Sequence, residues 1–423
     1  MRTHTNWRTP PTSCLLTIAV ISMNACPAAP HSTDAGAASA TADSTAVARN
    51  QAAACAAHGK PAPAGGGPAP LQPETLVCDG WFAERQVMWP GEAKCLQVRR
   101  VLEHRASKFQ VCVRSTCGLS TPQQSCITCS LPMPQDILVF DSTSHGRVLV
   151  LDGVIQITER DECAYQEMLA HLPLMALRRP PKRVLVVGGG DGGIVREVLK
   201  HASVEEVVMC EIDEEVVAAA RRWFSGSTAC AMDDPRLTLR FQDAAVYMKR
   251  HKQAFDVIIV DSSDPVGPAE SLFTSQFFAS MRDALAPGGV IATQGEAMHL
   301  HLPLIASTLR AVSDLFPNAD YAWTPVPTYP SGAIGFILCS SDPTPDMLRQ
   351  SYGEVPASLK HYTRELHRAA FVLPAEVETA LAPCRRRAGE TTDRQGGGVP
   401  LPVLAVAGVA ALLMAVTLRK VTQ

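Results

Sequence analysis

The sequence predicts a small N-terminal antiparallel β domain followed by a larger α/β domain whose sheet is doubly wound. Residues 80–160 alternate apolar and polar side chains and break at turn signals, which is typical of strands with one solvated face. From residue 183 onwards, short apolar runs alternate with glycine-rich turns and helical patterns. This second pattern indicates parallel strands that are covered by helices on both faces.

The composition of the 423 residues limits the classes of protein that this chain can be. Hydrophobic residues make up 46% and charged residues 19%, which excludes a mostly disordered chain. The formal net charge of −3 lacks the excess of positive charge that is typical of nucleic-acid-binding proteins. No apolar stretch ahead of the C-terminal tail is long enough to cross a bilayer, so a multi-span membrane protein is excluded as well.

Residues 1–75 are predicted to be a low-complexity targeting or linker segment. The apolar run at 15–23 is too short to span a membrane and suits a signal peptide. The acid-poor, Ala- and Ser-rich composition also suits an organellar transit peptide. A low-complexity extension without function is the third interpretation. The segment ends as a linker with three consecutive glycines at 65–67.

The C-terminal end is predicted to be a polar linker at 376–398 followed by a membrane anchor at 399–423. Residues 403–418 carry no charge and are followed by Arg419 and Lys420. A membrane-spanning helix needs about 20 apolar residues, and the Ala and Gly content here weakens insertion. An unanchored apolar tail is therefore the alternative.

The β domain is predicted over residues 76–160 as a series of hairpins. Residues 137–140 and 148–151 are apolar, and a turn at 142–147 separates them.

The Rossmann-like α/β domain is predicted over residues 161–375. Its first strand, at 184–187, is fully apolar and leads through a glycine-rich turn into a helix at 194–201. The elements predicted after these are a strand at 207–209, a helix at 214–223 and strands at 237–241, 255–260 and 290–293.

Residues 111–135 interrupt the β domain and are predicted to be an insertion or a translated intron. They carry no strand or helix pattern, and they separate residues 108–110 from the apolar strand that follows. The segment begins with Val111, whose codon starts with GT, and ends with Gln135, whose codon can end in AG. A disordered insertion and a zinc site are the alternatives. The zinc ligands would be Cys112, Cys117, Cys126 and Cys129.

The turn at 188–193 is the first candidate for a binding site. Its glycines follow an apolar strand and open a helix, so the backbone can approach a ligand at a helix N-terminus. Many nucleotide and methyl-donor enzymes share such a turn. Asp191 lies inside it, and Glu211 ends the next strand about twenty residues later, where an acid binds ribose hydroxyls. An acid that caps the next helix is the alternative, which suits Asp213 better than Glu211.

Further acids follow the third and fourth predicted strands. Asp243 comes after the third strand, and Asp261 and Asp264 come after the fourth. With Asp191 and Glu211 they make five carboxylates at the carboxyl ends of the strands, where α/β sheets bind ligands. Five carboxylates repel each other unless a cation lies among them. A bound metal is one candidate, but no His or Cys residue shares the spacing of these acids. A polyamine and a sulfonium therefore explain the acids better. Chance clustering of helix-capping acids is the alternative.

A set of motifs extends from Gly80 to about Pro374, at 80–82, 89–91, 149–156, 158–168, 188–193, 261–265 and 328–332. By these motifs, and without the insertion, the chain resembles the spermidine synthases, a family of polyamine aminopropyltransferases. Cys163-Ala164 and residues 321–323 are similar to the plant-type members.

The resemblance implies a methyltransferase-type sheet, a homodimer and a cytoplasmic location. It also implies transfer of an aminopropyl group from decarboxylated S-adenosylmethionine, as co-substrate, to putrescine without a metal. Asp261 matches the proton acceptor of the family. The positions that match diamine-binding residues are Tyr165, Ser262, Ser263, Asp264 and Tyr329. The positions that match donor-binding residues are Gln110, Gln166, Asp191, Glu211, Asp243 and Ala244.

The chemistry of the reaction agrees with these roles. The carbon next to the sulfonium needs a neutral amine as nucleophile, whereas putrescine is doubly protonated near neutral pH. Asp261 can take one proton while Asp264 holds the far ammonium. Asp191 would attract the donor's ammonium and repel the carboxylate of intact S-adenosylmethionine. Aromatic walls from Trp89, Tyr165 and Tyr329 would face the amine chain, with ordinary core packing as the alternative.

Three features depart from the family pattern. Ala244 replaces a usual glycine, His299 stands where a tryptophan is usual near the amine pocket, and the insertion directly follows Gln110. The alternative functions are putrescine N-methyltransferase, spermine synthase and, if the insertion is translated, a non-catalytic partner subunit.

Overall fold

The computed structural model describes residues 77–86, 88–113, 131–262 and 272–389, and only the backbone of 108–113 and 131–134. The predicted targeting segment and membrane anchor lie outside these ranges. So do Ser263, Asp264 and the side chain of Gln110. Among the helices that the structure describes, none is long and apolar enough to span a bilayer.

The first sheet confirms the predicted antiparallel β domain. Its six strands lie side by side in chain order. Their bounds are β1 Val77–Cys78, β2 Trp81–Glu84, β3 Lys94–Val113, β4 Leu131–Ser142, β5 Arg147–Leu151 and β6 Val154–Thr158. Leu138 and Phe140 pack in a small core on one face, whereas Ile137 and Val139 join the large core shared with the α/β domain. Both faces of β4 are therefore buried, which explains its unbroken apolar run.

The described ends of the predicted insertion are strand, which the sequence pattern did not indicate. Ala106 pairs with Asp136, and after an irregularity the ladder continues from Gln110 and Pro134 to the pair Val113 and Leu131. Residues 111–113 and 131–135 thus lengthen the β3–β4 hairpin. The interior of the segment and the side chains of the zinc alternative lie outside the described residues.

The second sheet has seven strands in the order β12-β13-β11-β10-β7-β8-β9. The five strands from β11 to β9 are parallel, as predicted, and β13 and β12 add an antiparallel hairpin at one edge. The bounds are β7 Arg183–Gly188, β8 Glu206–Glu211, β9 Leu237–Phe241, β10 Phe255–Asp261, β11 Leu285–Gln294, β12 Asn318–Pro325 and β13 Ala333–Ser340. Only seven residues separate β12 from β13, too few for the crossover that parallel strands need.

Helices cover both faces of this sheet. Alternate strand residues enter two separate cores: Val184 and Val186 pack on one face, Leu185 and Val187 on the other. The sheet is therefore doubly wound, and its central strands are apolar throughout. The helices are α1 Glu162–Ala176, α2 Gly193–Leu199, α3 Glu214–Trp223, α4 Ala244–Lys249, α5 Ser275–Ala284, α6 Met298–Ser313, α7 Arg364–Ala369 and α8 Ala375–Leu381.

The described part of the predicted C-terminal linker belongs to the α/β domain. After α8 and a short turn at Ala382–Cys384, Arg386 forms a bridge with Ala319. Asp320 on β12 is buried, and its carboxylate lies 2.7 Å from Arg385 and 2.7 Å from Arg349. The arginines that suggested a linker instead neutralise a buried acid, so the domain extends past the predicted boundary at 375.

Candidate active site

The candidate site lies between β7 and β10, where the strand order of the second sheet reverses. The chain leaves β7 towards β8 and leaves β10 towards β11, which opens a crevice at the carboxyl ends of these strands. Gly188 is the register partner of Asp261 across this point. Gly188 has a φ of +77°, and a Cβ there would lie 2.2 Å from the carbonyl oxygen of Asp261. Only glycine allows the two strand ends to approach so closely.

Asp261 ends β10 with its carboxylate held by α1. The Tyr165 hydroxyl donates to Asp261 Oδ1 at 2.6 Å. Burial and then the negative charge of Asp191 raise the pKa of Asp261, while the hydrogen bond from Tyr165 lowers it. Burial also raises the pKa of Tyr165, so this hydroxyl stays a donor. A carboxylate with a raised pKa is suited to accept a proton near neutral pH.

Two aromatic rings border this carboxylate. The ring of Tyr329 lies 5.6 Å from that of Tyr165, centroid to centroid. The Tyr329 hydroxyl donates to the carbonyl of Gln156 at 2.8 Å, which holds its loop against the β domain. Trp89 is buried, and among the described residues it does not pack ring against ring with Tyr165 or Tyr329. The structure thus brings Tyr165 and Tyr329 together and leaves the role of Trp89 a prediction.

Asp191 lies in the glycine turn, and its side chain points to Gln166. Gln166 Nε2 donates to Asp191 Oδ1 at 2.9 Å, and the backbone N–H of Gly193 donates to the same oxygen at 2.6 Å. Burial raises the pKa of Asp191, and these two hydrogen bonds oppose the shift. A Cβ on Gly193 would lie 1.9 Å from the Gln166 amide, so glycine makes room for this contact.

Glu211 ends β8 and reaches the same turn. Glu211 Oε1 accepts hydrogen bonds from the backbone N–H groups of Ile212 at 2.7 Å and Asp213 at 3.0 Å. A Cβ on Gly190 would lie 2.9 Å from Glu211 Oε2. Burial is the largest influence on Glu211 and raises its pKa to about 6. Asp213 instead caps α3 through the N–H of Glu215, as expected from the sequence.

Asp243 follows β9 and has a different environment. Its side chain is exposed and accepts a hydrogen bond from the N–H of Ala245 at 2.7 Å, which caps α4. Ala244 is buried and has no positive φ, so replacement of a glycine there causes no backbone strain. Of the predicted carboxylates, Asp191 and Glu211 are the two whose negative charges raise the pKa of Asp261, after the larger effect of burial.

Two buried polar residues in the crevice were not singled out from the sequence. Gln294 ends β11, one register position beyond the pair Val260 and Thr293 and so beside Asp261. Glu296 follows with a φ of +64°, and its Oε2 lies 2.7 Å from His301 Nδ1. Both could have been found by the rule applied to the acids, because they lie at or just beyond the carboxyl end of an apolar strand.

The remaining candidates lie at the edges of the site. The Ser262 hydroxyl is buried and has no hydrogen-bond partner among the described residues, so it is available to a ligand. His299, expected near the amine pocket, is exposed in the first turn of α6. Ile212 is 45% exposed beside Glu211 and offers an apolar surface to a ligand ring. Within the described ranges, no three His, Cys, Asp or Glu side chains gather as a metal site.

Residues 162–349 match the model of the spermine/spermidine synthase domain, and residues 134–159 match that of the spermidine synthase tetramerisation domain. Spermidine synthase of Dictyostelium discoideum is 46% identical over 299 residues, which cover 70% of this chain and 96% of the relative. Spermidine synthase of Schizosaccharomyces pombe is 45% identical over 303 residues, with 71% and 93% covered.

Two solved structures are also similar. A spermidine synthase in complex with the transition state analogue AdoDATO has a TM-score of 0.60 and 34% identity, and the match covers 73% of this chain and 96% of that one. Spermidine synthase from Thermotoga maritima has a TM-score of 0.59 and 34% identity over 71% and 94% of the two chains. The relatives are matched over almost their whole length, with the same fold, and the chain belongs to the spermidine synthase family.

Proposed function

We propose that the protein is a spermidine synthase, which transfers the aminopropyl group of decarboxylated S-adenosylmethionine to putrescine. The products are spermidine and methylthioadenosine. The observation that carries this proposal is the hydrogen bond between Tyr165 and Asp261, beside Asp191 across the glycine turn. This arrangement provides one acid for each of the two cationic substrates. The names of the relatives and the AdoDATO complex support it.

Asp191 and Glu211 are proposed to hold the donor. Among the described residues, both hydrogen bonds to the Asp191 side chain end on Oδ1, which leaves Oδ2 for an ammonium group. Glu211 lies at the end of β8, where an acid binds ribose hydroxyls in this architecture. A donor with an ammonium is attracted to Asp191, whereas the additional carboxylate of intact S-adenosylmethionine is repelled. This favours aminopropyl transfer over methyl transfer.

Asp261 is proposed to take the proton of the attacking amine. The amine nitrogen forms a bond to the aminopropyl carbon, the bond from that carbon to sulfur breaks, and its electron pair neutralises the sulfonium. The nitrogen loses one proton to Asp261. Tyr165 and Tyr329 face the amine chain, and Asp264 is proposed to hold the far ammonium. Ser262, Ser263 and Trp89 are proposed to complete the amine pocket, and Gln110, Asp243 and Ala244 the donor pocket.

The tetramerisation domain matched at 134–159 indicates an oligomer, and we propose a homodimer. A cytoplasmic location, targeting through residues 1–75 and anchoring through residues 399–423 stay predictions, because both segments lie outside the described residues.

Product analysis of the purified full-length chain tests the proposed function. The chain is offered putrescine with either decarboxylated or intact S-adenosylmethionine, and spermidine, methylputrescine and methylthioadenosine are measured by mass spectrometry. We expect spermidine and methylthioadenosine in equal amounts, only with the decarboxylated donor. Methylputrescine from the intact donor would instead identify a putrescine N-methyltransferase.

A further inference from the structure

Arg196 lies on α2, just beyond the glycine turn, and each of its N–H groups has an acceptor. Its side chain is only 14% exposed. The five N–H groups of the guanidinium donate to two carboxylates, a carbonyl and an amide oxygen. Nε donates to Glu197 at 2.8 Å, Nη1 to Glu162 at 3.2 Å and to the carbonyl of Ser227 at 3.3 Å, and Nη2 to Glu162 at 2.6 Å and to Gln166 Oε1 at 3.2 Å.

This arrangement fixes the orientation of the Gln166 amide. A guanidinium can only donate, so the amide oxygen of Gln166 must face Arg196. The amide nitrogen then faces Asp191 and donates to Oδ1. The reversed amide would place N–H groups against the guanidinium and an oxygen against a carboxylate. Gln166 is fully buried, and its amide lies against the backbone of Gly193.

The fixed amide in turn positions the Asp191 carboxylate. Gln166 and the backbone N–H of Gly193 both donate to Oδ1, so among these contacts Oδ2 keeps its capacity to accept a hydrogen bond from a ligand. Hydrogen bonds to a carboxylate favour its charged form. Loss of the amide contact would therefore remove both orientation and negative charge from the acid that faces the donor.

We infer that Arg196 is a positioning residue, which acts through Gln166 on Asp191 and thereby sets the preference for a donor with an unsubstituted aminopropyl ammonium. This inference rests on the proposed function. Arg196 was not among the site residues predicted from the sequence.

The test uses Arg196→Lys in the full-length chain. Lysine keeps the positive charge but cannot reproduce the planar arrangement of five donors. We expect the KM for decarboxylated S-adenosylmethionine to rise about tenfold, the effect of one charge-assisted hydrogen bond, with kcat and the KM for putrescine changed less than about twofold. By calorimetry, the affinity for decarboxylated S-adenosylmethionine should fall, whereas that for methylthioadenosine, which lacks the aminopropyl group, should not change.

A second variant separates positioning from folding. Gln166→Met removes the amide, so adding Arg196→Lys to it should change the donor KM by less than about twofold. Arg349→Lys is the matched control, because Arg349 also pairs with a buried acid, Asp320 on β12, without contacting the site. It should lower the Tm and leave the donor KM unchanged.

The inference would be overturned if Arg196→Lys raised the donor KM equally with and without the Gln166 amide. It would also be overturned if the variant lost affinity equally for methylthioadenosine and for the donor. The calorimetric comparison needs no turnover. A wild-type chain that binds the donor but forms no spermidine would refute the proposed function while this comparison still decides the role of Arg196.

Discussion

Tyr165 on α1 donates a 2.6 Å hydrogen bond to Asp261 at the end of β10, so the first helix of the α/β domain supports the proposed proton acceptor. The hydrogen bond lowers the pKa of Asp261 against the larger effect of burial. Two influences therefore oppose each other at this acid: burial favours its protonated form, and the phenol of Tyr165 favours its charged form.

Replacing Tyr165 by phenylalanine should shift the pH dependence of turnover. Without the hydroxyl, the pKa of Asp261 rises further, so the carboxylate forms only at higher pH. We expect the acid limb of the kcat/KM profile to move upwards by about one pH unit, with about tenfold lower activity at neutral pH and partial recovery at pH 9. A uniform decrease with the limb in its original place would show that the hydroxyl only binds the amine.

The unliganded enzyme should become more stable when Asp261 is replaced by asparagine. The folded-state pKa of Asp261 lies above its unfolded value, so the native state binds more protons between the two values. The free energy of unfolding of the wild type therefore falls as pH rises through this interval. Asparagine still accepts the Tyr165 hydrogen bond but cannot ionise.

Urea unfolding without ligands measures this effect. At pH 8 we expect Asp261→Asn to be ~1–2 kcal/mol more stable than the wild type, a value discounted for contact of the crevice with solvent. At pH 4 the difference should vanish. Stability of the wild type that stays level or rises from pH 4 to pH 8 relative to the variant would contradict this account.

Asp191 should control donor choice. Replacement by alanine removes the charge that attracts the donor's ammonium and repels the carboxylate of intact S-adenosylmethionine. We expect the ratio of kcat/KM values for the two donors to fall at least about tenfold, since like-charge repulsion contributes on the order of 1–3 kcal/mol. Asp213→Ala, which removes the acid that caps α3, is the control and should lower stability without changing the ratio. An unchanged ratio for Asp191→Ala would refute this explanation of selectivity.

Deletion of residues 111–135 should leave a folded enzyme. Ala106 and Asp136 are already paired, so the four residues 107–110 would remain as the hairpin loop, a common length. We expect an unchanged or higher Tm and spermidine formation at least equal to that of the full chain. Loss of folding would show that the segment belongs to the β domain. Sequencing of the transcript across the same junction tests the intron hypothesis.

The sequence predicts the fold well where local pattern decides it. Apolar runs such as 184–187 predict strands that are buried on both faces. The helix predicted at 214–223 has these bounds in the structure. The β12–β13 hairpin and the C-terminal packing were missed. Arg385 looks like part of a polar linker until the fold places it against buried Asp320, which is distant in the sequence.

The candidate site was predictable to the extent that its residues follow strands. Asp191, Glu211 and Asp261 do so and meet in the crevice, whereas Asp243 is exposed and caps a helix. Arg196 gave no signal, because its importance depends on Glu162 and Gln166, which approach it only in the folded chain. Such tertiary hydrogen bonds leave no periodicity in the sequence.

The most direct test of the central claim is turnover of Asp261→Asn with decarboxylated S-adenosylmethionine and putrescine, alongside donor affinity measured by calorimetry. The account predicts nearly unchanged donor affinity and a kcat lowered by about 10²–10⁴, the usual effect of losing a general base. Turnover equal to that of the wild type would contradict the account and show that the amine's proton goes elsewhere.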